Sequence, residues 1–391
     1  MTALYPAAPE ALGFDPARLA AVDEAMLAAA HRVFSAAALL VARRGAVVME
    51  GAYGWLDDAT HSHPARSYTL FDLASVTKLF TATAFMTLVD AGRVALDDRV
   101  SDVVPEFGGI RQIAPAENPL TGATEILGNL DWVVDAGAVT FRHLLTHTSG
   151  LPAWAPLYRL PDRDAAVAAV LGSNFAYATG DRILYSDLGL VLLTEAISRL
   201  AGEPFDAFVQ RAVLKPLGLE RATFNPPPDQ WPDIAPTEVC RWRGRRLRGE
   251  VHDENAARLG GVSGHAGLFA SVRDVATLGQ MYLDGGEYAG VRVLSEDAVA
   301  EMTRVQVQWE GDRRGIGFML QGEGGWRRAG LSDRAYGHTG FTGTSLWIDP
   351  EAETVVALLT NRVYFGRDAG GIQTLRRLVH EGVASALESH P

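Results

Sequence analysis

Leu73-Ala74-Ser75-Val76-Thr77-Lys78-Leu79-Phe80 decides how this chain is read. Lys78 is one of two lysines, Lys215 being the other, among 35 basic residues that are otherwise arginine. Arginine stays protonated at any working pH, with a pKa above about 12, whereas lysine can release its proton when its surroundings press on it. A helix starting at Ser75 would put residues three apart on one face, so a hydroxyl and an amine come within hydrogen-bond reach. Leu79, Phe80, Ala82, Phe85, Met86, Leu88 and Val89 support such a helix, and Gly92 can stop it. A serine in its first turn would meet the positive end of the helix dipole, which favours a developing oxyanion. Ser-x-x-Lys has only two fixed letters, so its weight depends on the rest of the chain.

On the N-terminal side, Asp15-Pro16 reads as an N-cap with proline at the first helical position, opening a helix to about His31. Ala36 to Ala42 and Val47 to Tyr53 are β-rich and joined by Arg43-Arg44-Gly45, a hairpin. From about Leu96 the pattern turns to short helices and loops, with an amphipathic helix near Leu188 to Leu200 and another from Asp206 to Leu214. Strand-like segments return after about Glu250, with a helix from about Val272 to Tyr282. Near the end, Thr344 to Ile348 and Thr354 to Leu359 flank Asp349-Pro350-Glu351 as a second hairpin, and a last helix covers about Gly371 to Leu387. The expected class is α/β (α+β): one antiparallel sheet assembled from both termini and flanked by helices, with an inserted all-α subdomain. The sheet domain would be residues 1–95 plus 250–391, the insert 96–249, and the active site their interface.

The hydrophobic fraction of 48% and charged fraction of 21% over 391 residues are those of an ordinary globular protein. A net charge of −12 disfavours nucleic acid as a partner, because phosphate binding wants a basic surface. The basic run Arg241 to Arg248 contains Gly244 and reads as an exposed hairpin. Cys240 stands alone, so no internal disulfide can form, and it reads as a quiet buried thiol. No run approaches membrane-spanning length, and Met1 to Pro9 has neither a basic nor an apolar leader region; the expected compartment is the cytoplasm.

Two further segments join the opening one: Tyr185-Ser186-Asp187-Leu188-Gly189 and Gly337-His338-Thr339-Gly340-Phe341. In order and rough spacing, the three resemble the motifs of penicillin-recognising serine hydrolases, specifically the class C β-lactamase and family VIII esterase group. The stretch Arg142-His143-Leu144-Leu145-Thr146-His147-Thr148-Ser149-Gly150 is similar to a further segment of that family. The resemblance covers about residues 10 to 390. It implies that Ser75 is acylated and that Lys78 and Tyr185 share the removal of its proton and the protonation of the leaving group. The backbone N–H groups of Ser75 and Phe341 would form the oxyanion hole, with Phe341 following an edge strand. Gly340 would let the substrate backbone come close to that strand. Trp154, with Tyr158, is a candidate for an acyl pocket. No cofactor or metal is called for.

Two positions depart from the family pattern. Asp187 stands where asparagine is usual, and a carboxylate within about 4 Å of Lys78 would favour the ammonium. An ordinary lysine already needs about 4–5 kcal/mol to be neutral at pH 7, so a Tyr185 phenolate beside a cationic Lys78 becomes the expected base. His338 stands where β-lactamases usually carry lysine. A largely neutral imidazole should weaken recognition of a substrate carboxylate and suit neutral esters.

Other patterns are weaker. Gly261-Val262-Ser263-Gly264-His265 misses a Gly-x-Ser-x-Gly elbow by its last residue, and with Val251 to Asn255 it reads as a loop packed near the site. His61-Ser62-His63 could share a strand face as metal ligands, but Pro64 follows and no third ligand is evident, so it reads as a surface loop. His143 and His147 are four apart on an expected helix without the glutamate of a zinc-protease motif. The reading is a serine hydrolase acting on a small-molecule ester or amide through an acyl-enzyme on Ser75, with weak β-lactam hydrolysis as a side activity. Neither nucleic acid nor membrane is expected as a partner, and a homo-oligomer is compatible. The alternatives are a β-lactamase, a D-Ala-D-Ala carboxypeptidase or D-aminopeptidase, and an acyl-binding sensor that does not turn over.

Overall fold

The hairpin read near the N-terminus becomes part of a nine-stranded sheet in the computed structural model, which describes residues 3–322 and 330–387. Its strands, in chain order, are β1 (Tyr5–Pro6), β2 (Ala36–Arg43), β3 (Ala46–Gly54), β4 (Val307–Trp309), β5 (Asp312–Arg314), β6 (Met319–Leu320), β7 (Tyr336–Thr339), β8 (Ser345–Asp349) and β9 (Thr354–Thr360). Across the sheet they run β1-β3-β2-β9-β8-β7-β6-β5-β4. Only β1 pairs parallel to its neighbour, and every other pairing is antiparallel. The two ends of the chain therefore interleave, with β9 lying between β2 and β8.

Every residue of β2 is buried, because both faces of the sheet are covered. Successive side chains alternate. Ala37, Leu39 and Val41 face helices α1 (Pro16–Ala29) and α5 (Ile372–Ala386), among Phe14, Leu19, Met26 and Val379. Ala38, Leu40 and Ala42 face the other core, which holds α2 (Thr77–Asp90), α3 (Asp187–Ala201) and α4 (Val272–Leu283). Each fully buried Leu or Val contributes about 1.5–3 kcal/mol. Asp15 caps α1 as read, its carboxylate accepting from Ala17 N at 2.8 Å.

Several expectations shift locally. Ser75 lies on a 3₁₀ turn, Ala74–Val76, and the α-helix begins at Thr77. The segment after Asp206 is a short helix, Phe205–Val209, that continues as a π turn over Gln210–Leu214. The helix carrying His143 ends at Leu145, and His147 beyond it has φ 59°, so the two histidines do not share a helical face. The basic run forms the expected hairpin, Val239–Cys240 against Arg245–Arg246, and Cys240 is free and buried. Strand β7 is interior rather than an edge strand. Strand β6 pairs with Tyr336 and Gly337 of β7, while β8 pairs with all four of its residues.

Candidate functional site

The turn that presents Ser75 is built by Asp72, a residue no motif singled out. Asp72 is buried, and its carboxylate accepts from Ala74 N at 2.8 Å and from His252 N at 2.6 Å. Burial raises its pKa, and the two N–H donors oppose that rise. Ala74 is held at φ 45°, a left-handed conformation that a non-glycine residue keeps only when its surroundings over-determine it. The backbone carbonyls of Asp72 and Leu73 accept from Thr342 Oγ1 and Thr344 Oγ1, each at 2.8 Å. Those threonines belong to the turn after β7, so the Ser75 turn and the Gly340–Thr344 turn are fastened together. Arg376 of α5 fastens the second turn from behind, donating to Gly340 O at 3.0 Å and Thr344 O at 2.7 Å.

Gly340 is required by this fastening. A Cβ there would lie 2.1 Å from Thr344 Oγ1 and 2.5 Å from Leu73 O. The close approach expected of a substrate is thus made first by the chain itself. Phe341 follows with an exposed ring, stacked on His252 at 5.6 Å and covered by the Arg362 guanidinium at 4.5 Å.

Lys78 is 1% exposed and reaches three groups. Its Nζ donates to Ser75 Oγ at 3.0 Å and to His265 O at 2.9 Å, and lies 2.7 Å from Asp187 Oδ1. The Asp187 contact lacks hydrogen-bond alignment and is an ion pair. The ammonium also sits 4.8 Å from the centre of the Tyr185 ring. Burial pulls the Lys78 pKa down, but the Asp187 carboxylate and Tyr185 outweigh it and the net direction is up. Lys78 is therefore an ammonium at neutral pH. For Tyr185, burial raises the pKa and Asp187 adds to the rise, while Lys78 and the Ser75 hydroxyl pull it down; the net direction is again up. The resting pair is ammonium and phenol. The ammonium–phenolate form expected as the base is the minor one.

Two residues around Tyr185, His147 and Arg314, escaped the motif reading of the site, and His338 from the third motif joins them there. His147 lies 4.6 Å from the Tyr185 ring, and its Nδ1 accepts from Ser186 N at 3.1 Å, fixing the turn into α3. Burial, with nearby Arg314 and Lys78, holds its pKa well below the usual histidine value, so it is neutral. Arg314 is buried with its guanidinium 5.7 Å from the Tyr185 ring, chelated by Asp312 at 3.0 and 2.7 Å. His338 packs against Tyr185 at 5.9 Å, and its Nδ1 donates to Thr339 O at 2.8 Å. Of His147 and Arg314, only His147 carried a signal, as part of the Arg142–Gly150 stretch.

The near-miss at Ser263 forms a Ser-His-Asp chain: Ser263 Oγ to His265 Nδ1 at 2.7 Å, and His265 Nε2 to Asp253 at 3.0 Å. Ser263 is 0% exposed and cannot meet a substrate. Trp154 is half-buried, 6.4 Å from the Tyr158 ring, on a segment tied to α3 by Asp187 N donating to Ala153 O at 2.9 Å. Tyr158 also borders a cavity of about 1050 Å³, with Trp242, Tyr364, Arg246, Glu238 and Arg367 in its walls. Arg362, which covers Phe341, donates to the Arg367 carbonyl at 3.0 Å, linking that cavity to the turn after β7.

A hydroxyl, an ammonium and a phenol held together at the mouth of a helix, beside the end of β7, are the equipment of a serine hydrolase. The beta-lactamase family pattern matches residues 21–381, and the chain belongs to that family. It is 31% identical over 394 residues to a Salmonella agona protein provisionally named a D-alanyl-D-alanine carboxypeptidase, covering 92% of this chain and 86% of that one. Among solved structures it resembles a penicillin-binding protein homologue from Caulobacter crescentus, with TM-score 0.73, 21% identity and coverage of 96% of this chain and 99% of that one. It also resembles a family VIII carboxylesterase, with TM-score 0.69, 22% identity and coverage of 95% and 98%. No described helix is long and apolar enough to cross a membrane.

Proposed function

We propose that this serine hydrolase cleaves carboxylic esters of small molecules through an acyl-enzyme on Ser75. The observation that carries the reading is the 3.0 Å contact from Lys78 Nζ to Ser75 Oγ, made by an ammonium that Asp187 keeps charged. In this reading Ser75 Oγ attacks the ester carbonyl while its proton passes to the Tyr185 oxygen in the minor phenolate form, which the Lys78 charge stabilises. The backbone N–H groups of Ser75 and Phe341 hold the oxyanion. Collapse of the tetrahedral adduct expels the alcohol, which takes the proton from Tyr185, and water then releases the acid by the same steps. Thr339 and Gly340 flank the substrate at the end of β7, Trp154 borders the acyl group, and the site lies between the sheet domain (1–95 with 250–391) and the insert (96–249).

Preference for a neutral ester rests on His338. It stands where a lysine would offer a substrate carboxylate a permanent cation, and its Nδ1–H donates to Thr339 O. A second reading, a D-alanyl-D-alanine carboxypeptidase, is supported by the 31% identical relative. Turnover of p-nitrophenyl butyrate, nitrocefin and a D-Ala-D-Ala peptide by the wild type and Ser75→Ala separates them. Ester turnover no greater than that of Ser75→Ala would sink the esterase reading, and a fluorophosphonate adduct on Ser75 is expected by intact mass. A cytoplasmic location and self-association belong to the same reading, with cell fractionation and size-exclusion chromatography as their tests.

A further inference from the structure

His61 was set aside in the sequence for want of a third ligand, and the fold supplies one from about thirty residues upstream. Helix α1 ends at Ala29, and His31 just beyond it contacts the Asp58 carboxylate through Nδ1. The ligand atoms of His31, Asp58 and His61 all lie within 4.8 Å of one another. The two imidazole rings are 5.0 Å apart. His63 is not among them, and its Nδ1 is engaged with Ser62 Oγ at 2.8 Å.

We propose that His31, Asp58 and His61 form a surface site for a borderline divalent transition-metal ion such as Zn²⁺. Two imidazole nitrogens and one carboxylate oxygen suit zinc, nickel or copper, whereas magnesium and calcium call for an all-oxygen set. Three protein ligands, two of them on exposed residues, leave a fourth position for water. The ligands are also pre-set. Trp55 stacks on the His61 ring at 5.2 Å with an interplanar angle of 12°. The Asp57 carboxylate accepts from Ala59 N at 3.1 Å and Thr60 Oγ1 at 2.7 Å, and Asp57 O accepts from His61 N at 3.0 Å, which shapes the turn carrying both Asp58 and His61. His31 and His61 hold φ 62° and 54°, left-handed values that turn each side chain out of the run of its neighbours.

A bound ion would tie the end of α1 to the loop leaving β3. That loop emerges where Gly54 pairs with Ala36, the end of the sheet that also carries Thr339 on β7. The metal thus acts as a brace, apart from the Ser75 chemistry.

The test uses untagged protein, stripped with chelator and dialysed, titrated with ZnCl₂ in a calorimeter. One ion per chain is expected, with His31→Asn and His61→Asn each weakening binding by more than about tenfold. Asparagine tolerates the left-handed backbone at both positions, and melting curves with and without Zn²⁺ should show a rise in Tm for the wild type that both variants lose. His63→Ala should bind as the wild type does. Absence of binding, or binding unchanged by either asparagine substitution, would overturn the assignment, as would loss of binding in His63→Ala alone.

Discussion

Asp187→Asn restores the residue usual in the family's second motif and removes one charge with almost no change of shape. Asp187 Oδ1 is 2.7 Å from Lys78 Nζ. Coulomb's law at that distance, with an effective dielectric constant of about 20, gives about 6 kcal/mol of attraction. Part of that offsets the cost of keeping Lys78 charged while buried. The direction of the outcome does not depend on which group serves as base. Asp187 raises the pKa of Lys78, and it also raises that of Tyr185 by repelling the phenolate. Removing it lowers both, so a neutral Lys78 and a Tyr185 phenolate each become easier to form. The acid limb of kcat/KM for a p-nitrophenyl ester should therefore move to lower pH in Asp187→Asn, by about 1–3 pH units for a charge at this range. Steady-state rates of both proteins between pH 5 and pH 10 measure it. An acid limb that stays in place or moves to higher pH would refute the claim that Asp187 sets the proton affinity of the site.

Tyr185→Phe should lower acylation of Ser75 by about 10²–10⁴-fold, the usual worth of a positioned acid–base group. Pre-steady-state bursts measure it, and near-full acylation in Tyr185→Phe alongside loss in Lys78→Met would transfer the base role to Lys78. Gly340→Ala forces a methyl against Thr344 and Leu73, and should cost about 1–3 kcal/mol of stability, with a lowered Tm in a thermal melt. Glu301 pairs with Arg304 and with Arg142, which lies on the short helix just before His147; hydrogen bonds from Arg304, then from Arg142 and Gln306, hold its pKa at about 2. A depressed carboxyl pKa stabilises the fold above the ordinary value near 4.3, and that stabilisation is lost as pH falls toward 2. Glu301→Gln should thus lower unfolding free energy at pH 7 by about 2 kcal/mol and flatten its decline in that window, as read by denaturant titration across pH.

The sheet was legible wherever one physical signal dominated. Ala36 to Ala42 is a continuous apolar run ending at a glycine turn, the composition of a strand covered on both faces. Asp15-Pro16 and Gly92 marked helix ends because capping and left-handed turns are local chemistry. The three ordered motifs, each too short to count alone, come together in space: Lys78 Nζ lies 3.0 Å from Ser75 Oγ and 4.8 Å from the Tyr185 ring, which packs against His338. What stayed hidden depends on long-range contacts. Asp72 looks like any acid until the fold brings His252 N to its carboxylate, and Gly340 looks like a turn residue until Leu73 O lies where its Cβ would be. The interior position of β7 followed from short strands β4 to β6, whose two or three residues carry no periodic signal. His31 and His61 are paired only by the loop geometry after β3.

The two serine constellations in this molecule show why residue types alone do not assign a catalytic role. Ser263, His265 and Asp253 have the partners and the distances of an activated hydroxyl, 2.7 and 3.0 Å. Ser75 has a lysine held as an ammonium and a tyrosine held as a phenol, which on paper is the poorer equipment. Access decides between them. Ser263 is sealed among Gly264 and His265, whereas Ser75 is part-exposed on a strained turn. The buried chain serves the exposed one through its backbone. With the His265 ring anchored by Ser263 and Asp253, the His265 carbonyl is fixed where it accepts a hydrogen bond from Lys78 Nζ at 2.9 Å. Asp187 takes the electrostatic load of the ammonium, and the remaining donor is aimed at Ser75 Oγ. A lysine with three fixed partners has one orientation, and that orientation, more than its proton affinity, is what the surrounding loops were folded to provide.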